Sequence, residues 1–154
     1  MKWHVTVAAL TTVLILGIGA ASAGPVEEVA ELAAKRGKAF SEGNADGYVA
    51  DFADDAVFTP SLAAFRIEGK SAIRAFFAGL FQRYPSRQVV GRQPLSRVYA
   101  NDTVVVVNNY AEQTWVDRAG HTTTRSIRAT TVWVKVDGKW LTVEQDVSAV
   151  PTNP

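Results

Sequence analysis

The chain contains no cysteine. That excludes disulfides, thiolate metal sites and thiol nucleophiles together. Histidine is scarce, with 2 in 154 residues, His4 and His121, too few for a histidine-built metal cage. Neither sign of charge is in excess: 16 Lys+Arg stand against 15 Asp+Glu, so the balance does not point to nucleic acid. No G-x-S-x-G elbow, glycine-rich phosphate loop or H-E-x-x-H segment occurs. We therefore expect no metal and no cofactor.

What is present is globular. Hydrophobic residues make up 47% and charged residues 20%, a balance that fills a core and excludes general disorder. The length fits one domain.

Residues 1–23 read as a signal peptide. Lys2 supplies the positive start, an apolar run follows from Val5 to Ala21, and Ala21-Ser22-Ala23 is an A-x-A cleavage site. The expected mature domain is 24–154, exported to the periplasm or secreted, with no membrane attachment after cleavage. The rival reading keeps the run as a membrane anchor, for which it is about long enough. Cleavage would leave His121 as the sole histidine.

Pro25–Phe40 predicts a helix, with Glu27, Glu28 and Glu31 near its start, Lys35, Arg36 and Lys38 toward its end, and an apolar side of Val26, Val29, Leu32, Ala33 and Phe40. Asn44 can cap a second helix over 45–52, and 56–58 reads as a short strand stopped by Pro60. Ser71 is the expected cap of a third helix over 72–84, ended by Pro85. Four strands follow, over 88–99, 103–116, 121–136 and 139–150. The first is bulged or bent near Gly91 and Pro94, and Asp137-Gly138 makes the last hairpin turn. Helices before a long meander give an α+β class. Helices on one face of a twisted antiparallel sheet make a cone, whose mouth is a natural small-molecule pocket.

Three segments carry a resemblance: Phe52-Ala-Asp-Asp-Ala-Val-Phe58, Ile67-Glu-Gly-Lys-Ser-Ala-Ile73 and the strand pair ending Gly138-Lys-Trp140. Together they resemble a SnoaL-like domain of the nuclear transport factor 2-like superfamily. Thr130-Thr-Val-Trp133, Asp137-Gly-Lys-Trp140 and Ser148-Ala-Val-Pro151 are similar to the association domain of calmodulin-dependent kinase II and its bacterial relatives. The resemblance implies a cone-shaped, cystatin-like α+β fold with three N-terminal helices on a curved antiparallel sheet. It does not choose an activity, because the superfamily includes isomerases, cyclases, dehydratases and non-catalytic assembly domains. The arginines that the association-domain family turns toward its cavity align with Ala111, Thr131 and Val147, and its last-strand histidines with Glu144 and Asp146. Loss of those positive charges favours a neutral, largely apolar ligand.

Strand parity sorts the side chains. Val105, Val107, Asn109, Ala111, Gln113 and Trp115 share one face with Ile127, Ala129, Thr131 and Trp133, and with Leu141, Val143, Gln145 and Val147. This is the expected concave face. The other face carries Asn108, Tyr110, Glu112 and Thr114, then Ser126, Arg128, Thr130 and Val132, then Thr142, Glu144, Asp146 and Ser148. Arg128 among Glu112, Glu144 and Asp146 suggests cross-strand pairing. A bulge would change this register.

The expected ligand site is Tyr48, Phe52, Phe58, Asn109, Gln113, Thr131, Trp133 and Gln145, with the amides and hydroxyls orienting a small apolar or neutral molecule. An enzymatic alternative is a lyase, isomerase or cyclase with Asp55 or Asp54 as general base and Tyr48 as hydrogen-bond donor; as common turn formers, the two aspartates equally suit a solvated turn. His121 follows a turn with no orienting partner evident, which suits solvent better than catalysis. Ser148 has no histidine near it in pattern, against a serine triad. A third alternative is a non-catalytic homo-oligomerisation module. In any of the three, a homodimer through the outer sheet face is expected.

Overall fold

A computed structural model describes residues 23–151. All but the last residue of the expected signal peptide 1–23 lies outside the described residues.

The helix α1 spans Pro25–Glu42. Pro25 opens it, where a missing N–H costs nothing, and Glu27 and Glu28 complement the dipole of the first turn. Gly43 ends it in the left-handed region at φ 74°. Asn44 then caps α2, Ala45–Tyr48, by accepting the Gly47 N–H at 2.8 Å. The expected helix to Phe52 stops four residues early. Strand pairing takes over, with the Thr142 N–H donating to the Asp51 carbonyl at 2.7 Å and Phe52 opening β1, Phe52–Thr59.

A two-residue strand, β2 (Ile67–Glu68), pairs back on β1. The helix α3, Lys70–Arg83, starts from Gly69 with no side-chain cap, so Ser71 is inside the helix rather than its cap. The remaining strands are β3 (Ser86–Tyr99), β4 (Val104–Val116), β5 (Thr122–Val136) and β6 (Lys139–Ala149). The sheet order is β2-β1-β6-β5-β4-β3. One pair, β1 with β6, is parallel, so the sheet is mixed rather than wholly antiparallel. β1 and β2 also separate α3 from the two N-terminal helices.

Three register irregularities shape the sheet, one of them in β1 between Phe52 and Val57. In β3 the register slips between Arg92 and Leu95, where Gln93 takes φ 46° and Pro94 has no N–H for the ladder. In β6 the register slips opposite Val132 and Trp133. Before that slip, from Lys139 to Val143, the parity of β6 is reversed. Trp140 and Thr142 are buried while Leu141 and Val143 are half-buried, the opposite of the simple alternation expected for this stretch.

One cluster packs α2, α3 and β1 around Phe40, Tyr48, Phe52, Phe77 and Trp115, and a second gathers Val29, Val105, Trp133 and Trp140. Buried Arg87 binds two helix ends to the sheet. Its Nε donates to the Phe40 carbonyl at 2.7 Å and its Nη1 to the Tyr84 carbonyl at 2.6 Å, satisfying carbonyls that a helix terminus leaves open.

Candidate functional site

A cavity of about 450 Å³ lies between α1 and the concave face of β3–β6. Ala33, Ala34, Gly37 and Phe40 bound it from α1; Val107, Ala111, Ile127, Ala129, Trp133 and Val147 bound it from the sheet. Its mouth includes Gly91, Arg92 and Pro94, so the β3 bulge shapes the entrance. Six of the eight expected ligand residues border it: Tyr48, Asn109, Gln113, Thr131, Trp133 and Gln145. The other two do not. Phe52 is buried in the core, and Phe58 borders a separate void of about 30 Å³ beside α3.

The polar wall is a relay. The Tyr48 hydroxyl donates to Gln145 Oε1 at 3.2 Å, and Gln145 Nε2 donates to Thr131 Oγ1 at 3.2 Å. Burial pushes the Tyr48 phenol up to about 12, with nearby Arg36 opposing the shift and Asp51 adding to it. Tyr48 is therefore a neutral donor throughout the physiological range. Gln113 Oε1 and Trp115 Nε1 are buried without protein partners among the described residues.

Asp54 and Asp55 are exposed and border no part of the cavity. Phe52, Ala53, Ala56 and Phe58 take the buried positions of β1, and the irregular register between Phe52 and Val57 leaves the two carboxylates in solvent. No Asp or Glu lines the cavity, so a base built on Asp54 or Asp55 has no contact with a bound molecule.

The residue missed by strand parity is Arg36. It projects from α1 into the cavity wall, and its Nη2 donates to Asp51 Oδ1 and to Thr142 Oγ1, each at 2.5 Å. Its guanidinium lies 4.5 Å from the ring centres of both Phe52 and Trp133. Ala111, Thr131 and Val147 line the cavity without charge, while Arg36 from α1 and Arg92 from β3 both border it. For Arg36 the position was the available signal: it is seven residues after Val29 and four before Phe40, on the buried stripe itself.

His121 is on an exposed turn, with its Nδ1 3.0 Å from Asp117 Oδ2. Asp117 is the partner that spacing did not reveal. Its carboxyl is held below the usual range, first by the backbone N–H of His121. Neither residue borders the cavity. On the outer face Arg128 stands opposite Tyr110 and Ser148 and has no ion pair among the described residues. Glu112 instead accepts from Arg92 Nη2 at 2.6 Å, and Asp146 Oδ1 accepts from the Ser148 hydroxyl at 3.0 Å. The expected charge cluster around Arg128 does not form among the described residues.

Among protein families, the calcium/calmodulin dependent protein kinase II association domain matches residues 26–151. The chain belongs to that family. An association-domain candidate from Xanthomonas campestris is similar in structure, with a TM-score of 0.74 at 25% identity over 86% of this chain and 95% of that one. A protein from Catenulispora acidiphila, solved in complex with S-DNPA, has a TM-score of 0.67 at 25% identity, covering 79% of this chain and 90% of its own. A nuclear transport factor 2-like superfamily protein from Salmonella enterica shares the fold alone, with a TM-score of 0.74 at 19% identity over 84% of this chain and 94% of that one. No curated protein matches the chain. Membership in the association-domain family fixes the fold superfamily and leaves the chemistry to the cavity.

Proposed function

We propose that this chain binds a small organic molecule in the cavity between α1 and the inner sheet face. The carrying observation is the lining: a half-open cavity of about 450 Å³ with aromatic and aliphatic walls and a polar relay, Tyr48–Gln145–Thr131, along one side. That size and mixture are those of a ligand site rather than a packing defect. The ligand-bound Catenulispora acidiphila neighbour supports binding at the level of the superfamily. The test is native mass spectrometry of the purified protein, followed by a crystal structure with whatever copurifies. A bound metabolite in contact with Gln145 is the expected result. A collapsed cavity, with α1 packed directly on Ala111 and Ala129, would sink the reading.

Assembly is a second reading, favoured by the family's association domain and by the outer face. Leu95 and Tyr110 are exposed there beside Arg128, which has no ion-pair partner among the described residues. A homodimer through this face would bury Tyr110 and offer Arg128 a carboxylate across the two-fold axis. Export of the domain 24–154 to the periplasm or exterior, after cleavage behind Ala23, completes the proposal. The N-terminal residue of the protein recovered from its host reads this directly, Gly24 being expected.

A further inference from the structure

The outer face of the sheet holds a second hollow, of about 370 Å³, on the opposite side from the cavity. Strand register builds it from two rows of side chains. Leu95, Asn108, Thr130 and Asp146 stand opposite one another across β3, β4, β5 and β6, and Tyr110 and Arg128 form the neighbouring row. Between the rows run Asn109 and Ala129, which also border the inner cavity, so the sheet itself divides the two spaces. The β3 bulge opens the hollow at its edge: Gln93 and Pro94 together face the single Asn109, and Gln93 borders the space.

One cation and one carboxylate border this hollow, Arg128 and Asp146. Arg128 pairs with Ser148 and Asp146 with Thr130, so the two charges are diagonal neighbours, roughly 7–8 Å apart in an antiparallel pair. They form no ion pair with each other. The Arg128 guanidinium has neither an ion pair nor a hydrogen bond among the described residues. Asp146 spends Oδ1 on the Ser148 hydroxyl at 3.0 Å, and its Oδ2 has no hydrogen bond among the described residues. Asn108 donates to Thr130 Oγ1 at 2.8 Å and keeps its own Oδ1 as an acceptor. Leu95 and Tyr110 supply exposed apolar surface beside these groups.

Opposite charges that face one hollow without joining fit a molecule that carries both charges itself. A purely anionic guest would meet Asp146, and a purely cationic one would meet Arg128. An α-amino acid presents carboxylate and ammonium on one carbon, with its side chain free to lie on an apolar wall. We propose that the outer hollow binds a free α-amino acid with an apolar or aromatic side chain. Its carboxylate accepts from Arg128, its ammonium donates to Asp146 and Asn108, and its side chain lies against Leu95 and Tyr110. This goes beyond the cavity reading and does not rest on it. It competes with the two-fold interface for Arg128 and Tyr110.

The test uses three probes that share one body: phenylalanine, phenethylamine and 3-phenylpropanoate. Each is titrated to tens of millimolar into the isotope-labelled full chain at neutral pH and followed by backbone amide shifts, since two partly exposed charge contacts suit millimolar affinity. Phenylalanine should bind about tenfold more tightly than either single-charge probe, because each of those lacks one charge-assisted contact. The shifts should centre on Asn108, Tyr110 and Arg128. Arg128→Gln should bring phenylalanine down to the level of phenethylamine, and Asp146→Asn down to that of 3-phenylpropanoate. Both side chains are outside the two core clusters, so both variants should fold. Equal binding of the three probes overturns the inference, as does binding whose shifts centre on Ala111 and Ile127 in the inner cavity. Absence of phenylalanine binding also overturns it. Light scattering on the same samples then reads whether a dimer covers the face, which would leave the assembly reading standing. None of these outcomes takes down the cavity reading.

Discussion

The Tyr48 hydroxyl and Gln145 Oε1 meet at 3.2 Å across the cavity wall, joining the short helix α2 to the central strand β6. Burial raises the phenol from its ordinary 10.0 to about 12 in the folded chain. A group whose folded value is raised stabilises fully below its unfolded value and loses that contribution as pH climbs toward the folded one. Stability should therefore fall between about pH 10 and pH 12 by on the order of 2–3 kcal/mol from this group. Urea unfolding across that window checks it. Tyr48→Phe should flatten that part of the profile, while leaving the Gln145 carbonyl short of a donor at a cost of about 1–3 kcal/mol near neutral pH.

Gly37 lies in the middle of α1 at the cavity wall, and a Cβ added there would meet nothing within 4 Å. Gly37→Ala should raise stability by about 0.5–1 kcal/mol through helix propensity alone. Gly37→Leu should instead occupy part of the cavity and weaken the binding of any small molecule that copurifies in it. A gain in thermal midpoint paired with lost binding, measured on the two variants, separates the effects.

Arg87 and Gly43 form one closure. A Cβ on Gly43 would stand 2.1 Å from Arg87 Nη2, and the residue is at φ 74°. Gly43→Ala therefore adds backbone strain to a displaced guanidinium. Arg87→Met removes donors from the carbonyls of Phe40 and Tyr84. We expect a loss of about 2–4 kcal/mol from Arg87→Met, since bonds to a charged donor are the stronger kind. Chemical denaturation reads both, and the double variant should cost less than the sum.

Asp54→Asn and Asp55→Asn should leave ligand binding unchanged, singly and together, because both carboxylates face solvent away from the cavity. Stability should move by no more than about 0.5 kcal/mol. A severalfold loss of affinity for any cavity ligand would restore them to the site.

Much of the cavity was legible because β4 and most of β5 alternate without interruption. Asn109, Gln113, Thr131 and Trp133 follow from that alternation. In β6, Gln145 follows the slip and keeps the expected parity. Thr142 is before it, and no local pattern marks a bulge between Leu141 and Glu144. The β3 bulge was easier, since Gly91 and Pro94 announce it. Arg36 was hidden for a different reason. A charge on an apolar stripe ordinarily snorkels to water, and only the folded chain brings Asp51 and Thr142 to it. Asp54 and Asp55 misled because adjacency suggested chemistry, whereas the register of β1 decided exposure.

The placement of β6 bears on how the protein comes into being. It is the last described strand in chain order, yet it occupies the interior of the sheet between β1 and β5. As the polypeptide leaves the ribosome, the β3–β4–β5 meander can assemble from neighbours, but β1 and β2 have nothing to join until Lys139–Ala149 emerges. Until then the faces that will enclose Arg36, Phe52 and Trp133 stand open. The nascent chain thus carries β1 and its aromatic surface without a place in the sheet through most of its synthesis, until β6, following directly on β5, joins β1 to the meander.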